Sequence, residues 1–364
     1  MKLMSIIGAR PQFIKAAPFS RTFRQHHTEI LVHTGQHYDE NMSAVFFEEL
    51  NIPTPDYNLN VGSGGHGVQT GRMLEKLETL MLEVKPDGVL VYGDTNSTLA
   101  GALSAAKLHI PVFHAEAGLR SYNKQMPEEQ NRVLTDHISD LLFCPTQTAV
   151  DNLDKEGVSA GVLFTGDIML DAVKYNLNLS KQRYGCGVGR SILGKEAEKL
   201  KTGKYYLATV HRAENTDDPQ KLCEIIRAFS QLDMPVLLPL HPRTRKMLAS
   251  LDVSMDNIIV TEPVGYLLML SLTDEAAMVL TDSGGLQKEA FFLQTPCTTL
   301  RDQTEWVETL ADGWNVLSAI NNEEIIHFAQ RPLTCLSQQQ SALFGDGQAA
   351  QNMTDAIVRF LSDL

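Results

Sequence analysis

Short runs rich in Val, Ile and Leu alternate with helical-length segments along nearly the whole chain, and this alternation limits the fold more than any other feature. Apolar runs of about four to eight residues with no polar side are strands buried on both faces, which requires a parallel sheet covered by helices above and below. The first half offers such strands at 2–7, 29–34, 87–92, 111–114, 140–144 and 162–165, with helical stretches such as 67–84 and 128–139 between them. From about residue 180 to 204 the pattern breaks into a Gly/Lys-rich stretch, and strand-like runs resume at 205–210, 235–240, 257–260, 276–280 and 296–300. The expectation is an α/β chain of two doubly wound domains: 1–166, a connecting segment 167–204, then 205–345. A closing helix over 346–364 can pack on either. At 364 residues the chain suffices for two cores of roughly 100–200 residues each.

Composition excludes several classes. Hydrophobic residues make up 43% and charged residues 21%, a globular balance that argues against disorder. Apolar runs such as 266–272 fall far short of the ~20 residues a spanning helix needs, so no membrane partner is expected. The opening MKLMSIIGAR lacks a small-residue cleavage site and reads as a buried first strand, not a signal peptide. Cys144, Cys186, Cys223, Cys297 and Cys335 are scattered and odd in number. They indicate neither a disulfide framework nor a zinc site, and fit a reducing cytoplasm. With 31 Lys and Arg against 44 Asp and Glu, the net charge of −13 repels nucleic acid. An anionic ligand must therefore be met by cations placed locally against the global field.

In doubly wound sheets ligands bind beyond the carboxyl ends of the strands, so the polar residues there carry the functional reading. Gly8-Ala9-Arg10-Pro11 ends the first strand and opens a helix. Its backbone N–H groups, with Arg10 and Lys15, can hold a diphosphate, or it is a plain turn with solvated cations. Thr281-Asp282-Ser283-Gly284-Gly285 repeats the device in the second domain, with free N–H groups and a helix dipole favouring an anion. Glu289, one turn on, can accept from ribose hydroxyls or sit on the surface. Two such loops facing each other would make a nucleotide diphosphate cleft between the domains. Other glycine-rich stretches are decoys: Gly62 to Gly67 follows no convincing strand and reads as a loop, and the GxxxxGK ending at Lys195 has Glu196 where a P-loop needs Ser or Thr.

Asp94, Glu116 and Glu128 each fall at a strand end or helix start on this face. Asp94 alone can be a helix N-cap, and Glu128 alone a helix-start preference. Together, crowded carboxylates supply both a proton acceptor and a proton donor near neutral pH. His211-Arg212 follows a strand of the second domain, where a cation can neutralise a departing phosphate; His241 ends another strand less decisively. Eleven scattered histidines show no metal-ligand spacing, and no GxSxG elbow is present.

The segments IGARPQFIK (7–15), HTGQH (33–37), VYGDTNSTLAGAL (91–103), HAEAGLRS (114–121), MPEEQNR (126–132), HRAEN (211–215) and LTDSGGLQKEA (280–290) span nearly the whole chain, and in content and order they resemble the non-hydrolysing UDP-N-acetylglucosamine 2-epimerase family. The resemblance implies two Rossmann-like domains in a glycosyltransferase-B-like fold with the active site in the interdomain cleft. A homodimer, a UDP-sugar substrate and no metal or nicotinamide are also implied. The C2 proton of such a sugar is not activated by a neighbouring carbonyl. The family instead eliminates UDP across C1–C2 to a 2-acetamidoglucal and re-adds it with the proton on the opposite face.

By position, Asp94, Glu116 and Glu128 match its acid/base carboxylates and His211 the histidine on the diphosphate side. Arg10 and Lys15 match substrate-binding positions, and Ser283, Gly284, Gly285 and Glu289 match nucleotide-binding ones. The chain departs from well-known members at Ala213, Val264, Met269 and Trp306, and HTGQH continues as YDENM, which sets it apart from members activated by a second UDP-sugar. HRAENTDDP, HPRTR and DQTEWVE are similar to the branch acting on UDP-2,3-diacetamido-2,3-dideoxyglucuronic acid in O-antigen synthesis. The readings that compete with a 2-epimerase making a mannosamine-type precursor are a hydrolysing 2-epimerase and a non-catalytic UDP-sugar binding protein.

Overall fold

A computed structural model describes residues 1–36, 47, 50–185, 193–195, 200–240, 242–248, 251, 253–333 and 342–364. They form two compact units, Met1–Lys174 with Ala342–Leu364, and Tyr175–Ser341.

The first unit holds a seven-stranded sheet. Its strands are β1 (Lys2–Ile7), β2 (Thr28–His33), β3 (Tyr57–Asn58), β4 (Gly88–Tyr92), β5 (Val112–Ala115), β6 (Leu141–Cys144) and β7 (Val162–Phe164), in the order β3-β2-β1-β4-β5-β6-β7. Every pairing is parallel, with Ile6 opposite Val91 where β1 meets β4. The helices that return the chain are amphipathic for identifiable reasons. In α1 (Arg10–Phe23) Pro11 sits at the first turn, and in α2 (His66–Val84) Met73, Leu77, Leu80 and Met81 recur on one face against Met4, Ile6, Val89 and Val91. The second unit repeats the plan with β8 (Tyr206–Thr209), β9 (Val236–Pro239), β10 (Ile258–Thr261), β11 (Met278–Thr281), β12 (Cys297–Thr299) and β13 (Asn315–Leu317), all parallel in the order β10-β9-β8-β11-β12-β13. On β8, Tyr206 and Ala208 enter one core cluster, and Leu207 with the preceding Tyr205 enters the other. Both faces are therefore buried, as the uninterrupted apolar runs require.

Each sheet reverses its strand order once, between β1 and β4 and between β8 and β11. The reversal leaves a crevice at the carboxyl ends of those strands, because the flanking helices diverge to opposite faces. Gly8 and Asp94 follow one such pair, His211 and Ser283 the other.

The closing helix, Ala349–Ser362, belongs to the first unit. The N–H groups of Ala349 and Ala350 donate to the Asp171 carboxylate at 3.1 and 2.9 Å, and the Phe360 ring stands 5.7 Å from Phe113. Among the described residues, no helix is long and apolar enough to cross a membrane.

Candidate active site

The glycine loop after β1 is organised by a side chain that the sequence reading passed over. Gln12 Oε1 accepts from the N–H groups of Gly8 (2.8 Å) and Ala9 (3.0 Å), while its Nε2 donates to the Tyr92 carbonyl (2.7 Å) and to the hydroxyls of Thr95 and Thr98 (both 3.0 Å). The expectation that these two N–H groups are open to a diphosphate is therefore corrected: an internal amide satisfies them and ties the β1 turn to the β4 turn. Gly8 is glycine for a packing reason, since a Cβ there would collide with Ser97 and Thr34. The Arg10 side chain lies outside the described residues, as do His37, the YDENM continuation, His241, Glu196 and most of the GxxxxGK stretch. The glycines at 62, 64, 65 and 67 stand with open space where a Cβ would go, consistent with a surface loop.

Lys15, a turn along α1, ion-pairs with Glu116; both side chains are largely buried. Glu116 follows β5 with φ at +70°, a conformation unusual for a bulky non-glycine residue and one that clusters at functional sites. The carboxylate stands beside the β4 turn: a Cβ on Gly93 would be 3.4 Å from Glu116 Oε2 and 3.5 Å from Lys15 Nζ.

Asp94 does not cap the following helix, α3 (Asn96–Lys107). Thr95 does, its Oγ1 accepting from Thr98 N. The Asp94 carboxylate instead ion-pairs with Arg132 on α4 (Pro127–Ile138). Arg132 also donates to Glu129 at 2.9 Å, and the neighbouring Asp94, Glu129 and Glu116 charges raise its pKa above the usual arginine value despite burial. Glu128, in the first turn of α4, is exposed, and among the described residues it has no side-chain hydrogen bond or ion pair. Its neighbour Glu129 is buried. Burial pushes Glu129 upward, but hydrogen bonds from Ser121 N, Ser121 Oγ and Tyr122 N, with the Arg132 charge, hold it below the ordinary carboxylate value. Asp94, Glu116, Lys15 and Arg132 thus make a cluster of alternating charge at the ends of two adjacent strands.

In the second unit the residues after β8 and β11 form a separate network. Asp282, fully buried, accepts from the N–H groups of His211 (3.1 Å) and Arg212 (3.0 Å) and from Asn215 Nδ2 (3.1 Å). It also faces His211 Nδ1 at 3.2 Å, leaving the imidazole side chain 55% exposed. The carboxylate thus lies against one ring nitrogen of a side chain that is otherwise largely exposed. Ser283 Oγ caps α5 (Gly284–Phe292) by accepting from Leu286 N. A Cβ on Gly284 would lie 2.6 Å from Glu305 Oε1, whereas one on Gly285 would meet only Ser283 Oγ at 3.9 Å. Glu289, for which a surface position was one expectation, is buried. Burial also pushes the Cys144 and Cys297 thiols up to about 12, so neither is a nucleophile near neutral pH.

Gln12, Arg132, Glu129 and Asp282 join the site although only their segments, not their roles, stood out in the sequence. The signal available was position: each lies in or beside a polar run that follows a strand or opens a helix.

Comparison with known proteins follows the same segments. The family model described as UDP-N-acetylglucosamine 2-epimerase matches residues 21–358. The chain is 50% identical to a UDP-N-acetylglucosamine 2-epimerase homolog of Methanococcus maripaludis, over 98% of this chain and 99% of that one. It is 48% identical to the UDP-2,3-diacetamido-2,3-dideoxy-D-glucuronate 2-epimerase of Pseudomonas aeruginosa, over 99% and 100%. The crystal structure of Methanocaldococcus jannaschii UDP-GlcNAc 2-epimerase in complex with UDP-GlcNAc and UDP superposes with a TM-score of 0.83 at 42% identity, covering both chains fully. The two doubly wound units are of the glycosyltransferase-B-like class. The chain belongs to the UDP-N-acetylglucosamine 2-epimerase family.

Proposed function

We propose that the protein is a non-hydrolysing UDP-sugar 2-epimerase that inverts C2 by eliminating and re-adding UDP. The observation that carries this reading is the pairing of Glu116 with Lys15 and of Asp94 with Arg132 at the ends of β5 and β4. A carboxylate at such a strand end can take up or return a proton, and the cation paired with it helps carry charge during transfer. A carboxylate removes the C2 proton; the C–H electrons form the C1=C2 bond as the C1–O bond breaks and UDP departs. Re-addition reverses these steps, with an acid on the opposite face returning a proton to C2. Asp94, Glu116 and Glu128 divide the acid and base roles, and exposed Glu128 is the one placed to reach solvent. His211, oriented by Asp282, supports the diphosphate together with Arg10 and Lys15. Ser283, Gly284, Gly285 and Glu289 hold the nucleotide.

The Pseudomonas aeruginosa relative, with 48% identity, makes UDP-2,3-diacetamido-2,3-dideoxyglucuronic acid a candidate substrate beside UDP-N-acetylglucosamine. Either product is a mannosamine-type unit for surface polysaccharide. Incubation with each sugar, followed by NMR of the product mixture, tests the reading. An intact UDP-sugar inverted at C2 supports it. Free N-acetylmannosamine with released UDP replaces it with the hydrolysing reaction, and unchanged substrate in both tubes rejects catalysis on these sugars.

A further inference from the structure

We propose that His114 is a positioning residue that aligns Asp94 and Glu116 through a buried chain of hydrogen bonds; the inference rests on the epimerase reading. His114, on β5, is fully buried, as is Asp136 on α4. Its Nε2 is 2.7 Å from the Gly93 carbonyl and its Nδ1 is 2.7 Å from Asp136 Oδ1. The second Asp136 oxygen accepts from Gly118 N (3.1 Å) and Arg120 Nη1 (2.6 Å), and Arg120 forms two more bonds to Glu156, at 2.7 and 2.8 Å. Burial works against Asp136 ionising, but the His114 and Arg120 partners prevail and its pKa lies below the ordinary carboxylate value.

The carbonyl and the carboxylate are both acceptors, and the ring sits between them. Basic and acidic side chains then alternate along the chain: His114, Asp136, Arg120, Glu156. A buried ion left without its partner would be costly, so the network keeps one arrangement.

What the network connects gives it a role. Gly93 precedes Asp94, and its carbonyl is the anchor on the β4 turn. Glu116 lies between His114 and Gly118, both bonded to Asp136, so its left-handed backbone is clamped from each side. Glu128 and Arg132 share α4 with Asp136. One imidazole therefore joins the three segments that carry Asp94, Glu116 and Glu128, without a place in the charged cluster itself. Misplacement by about 1 Å at a reacting group can cost 10²-fold in rate while leaving binding intact.

The test uses C2 deuterium exchange, kcat, KM and UDP affinity on wild type, H114Q and H114Q/D136N. Glutamine can donate to Gly93 but turns an oxygen toward Asp136. Asparagine at 136 restores a donor there and keeps an oxygen toward Arg120 and Gly118. H114Q is expected to lose about 10²-fold in kcat with KM and UDP affinity within about twofold, and the double variant to recover about tenfold. A wild-type kcat in H114Q, a loss carried by KM, or a double variant no better than the single overturns the proposal. If H114Q does not fold, the double variant is read alone. There, kcat within about tenfold of wild type at unchanged KM supports the proposal, and a kcat more than about 10²-fold down with normal UDP binding overturns it. Failure of wild type to exchange deuterium would reject the epimerase reading itself, a result separate from all of these.

Discussion

Replacing Arg132 by methionine isolates the cation that holds Asp94. The side chain is 10% exposed and bridges Asp94 Oδ2 and Glu129 Oε2. Its removal costs the charge-assisted bond to Glu129, about 1.5–3 kcal/mol, and leaves that carboxylate its three bonds from Ser121 and Tyr122. Asp94, with 32% of its side chain exposed, regains water, so that pair adds only about 0–1 kcal/mol. The sum is about 1.5–4 kcal/mol, or roughly 3–16 °C in the melting temperature of a unit this size. Catalysis should suffer more than binding. Asp94 loses its fixed orientation, so kcat should fall about 10²-fold, while UDP affinity, in which Arg132 and Asp94 are assigned no part, stays within about twofold. Arg132→Lys keeps the charge but gathers its donors on one nitrogen, where Arg132 spreads them over Nη1 and Nη2, and should fall between wild type and Met in both readouts. Calorimetry with UDP, a thermal melt and an epimerisation rate measure all three quantities. A Met variant that melts within about 1 °C of wild type, or epimerises at the wild-type rate, would refute the reasoning.

Other perturbations probe separate parts of the account. Gly118→Ala would press a Cβ into the Ala149 backbone carbonyl at a φ of +80°, so a loss of about 3 kcal/mol or more in urea unfolding is expected; a loss under about 1 kcal/mol contradicts the geometry. Asp136, Glu129 and Glu156 all have depressed pKa values, so the folded state binds fewer protons than the unfolded one as pH falls. Their stabilisation is present above the unfolded values near 4 and is lost as pH drops through the lower folded ones; denaturant midpoints between about pH 7 and pH 3 should show it, and a flat profile would not fit. Asp282→Asn should leave the fold in place but disturb His211, raising the UDP dissociation constant by several-fold, on the order of 1 kcal/mol. Unchanged affinity in that variant would remove His211 from the diphosphate side.

The strands were legible because their physics is local. Runs such as GVLVY and LLFC are apolar throughout, and a chain can bury such a run on both sides only inside a covered sheet. Tyr57–Asn58 and Asn315–Leu317 were not legible, because one residue pair, and two apolar residues behind a leading Asn, make no apolar run to read. The candidate carboxylates could be located by their place after strands, yet their partners could not. Gln12 reaches a carbonyl 80 positions away, and Arg132 finds Asp94 across 38. Such pairings depend on the sheet order, which brings β1 beside β4 and lays α4 against α3. Asp94 shows the limit well. The local rule allowed a helix cap, but Thr95 took that place, which left the carboxylate for Arg132. Glu305 beside Gly284 and His114 between Asp136 and Gly93 were likewise visible only once distant segments had met.

The central claim is that carboxylates of the first unit move the C2 proton. Its most direct test is solvent deuterium incorporation at C2 of UDP-N-acetylglucosamine and of UDP-2,3-diacetamido-2,3-dideoxyglucuronic acid, followed by NMR for wild type, Asp94→Asn and Glu116→Gln. The account predicts incorporation into at least one sugar with wild type, and a loss of about 10³-fold or more in both variants with UDP binding largely kept. Deuterium entering either sugar at the wild-type rate in those variants, or entering neither sugar with wild type, would contradict it.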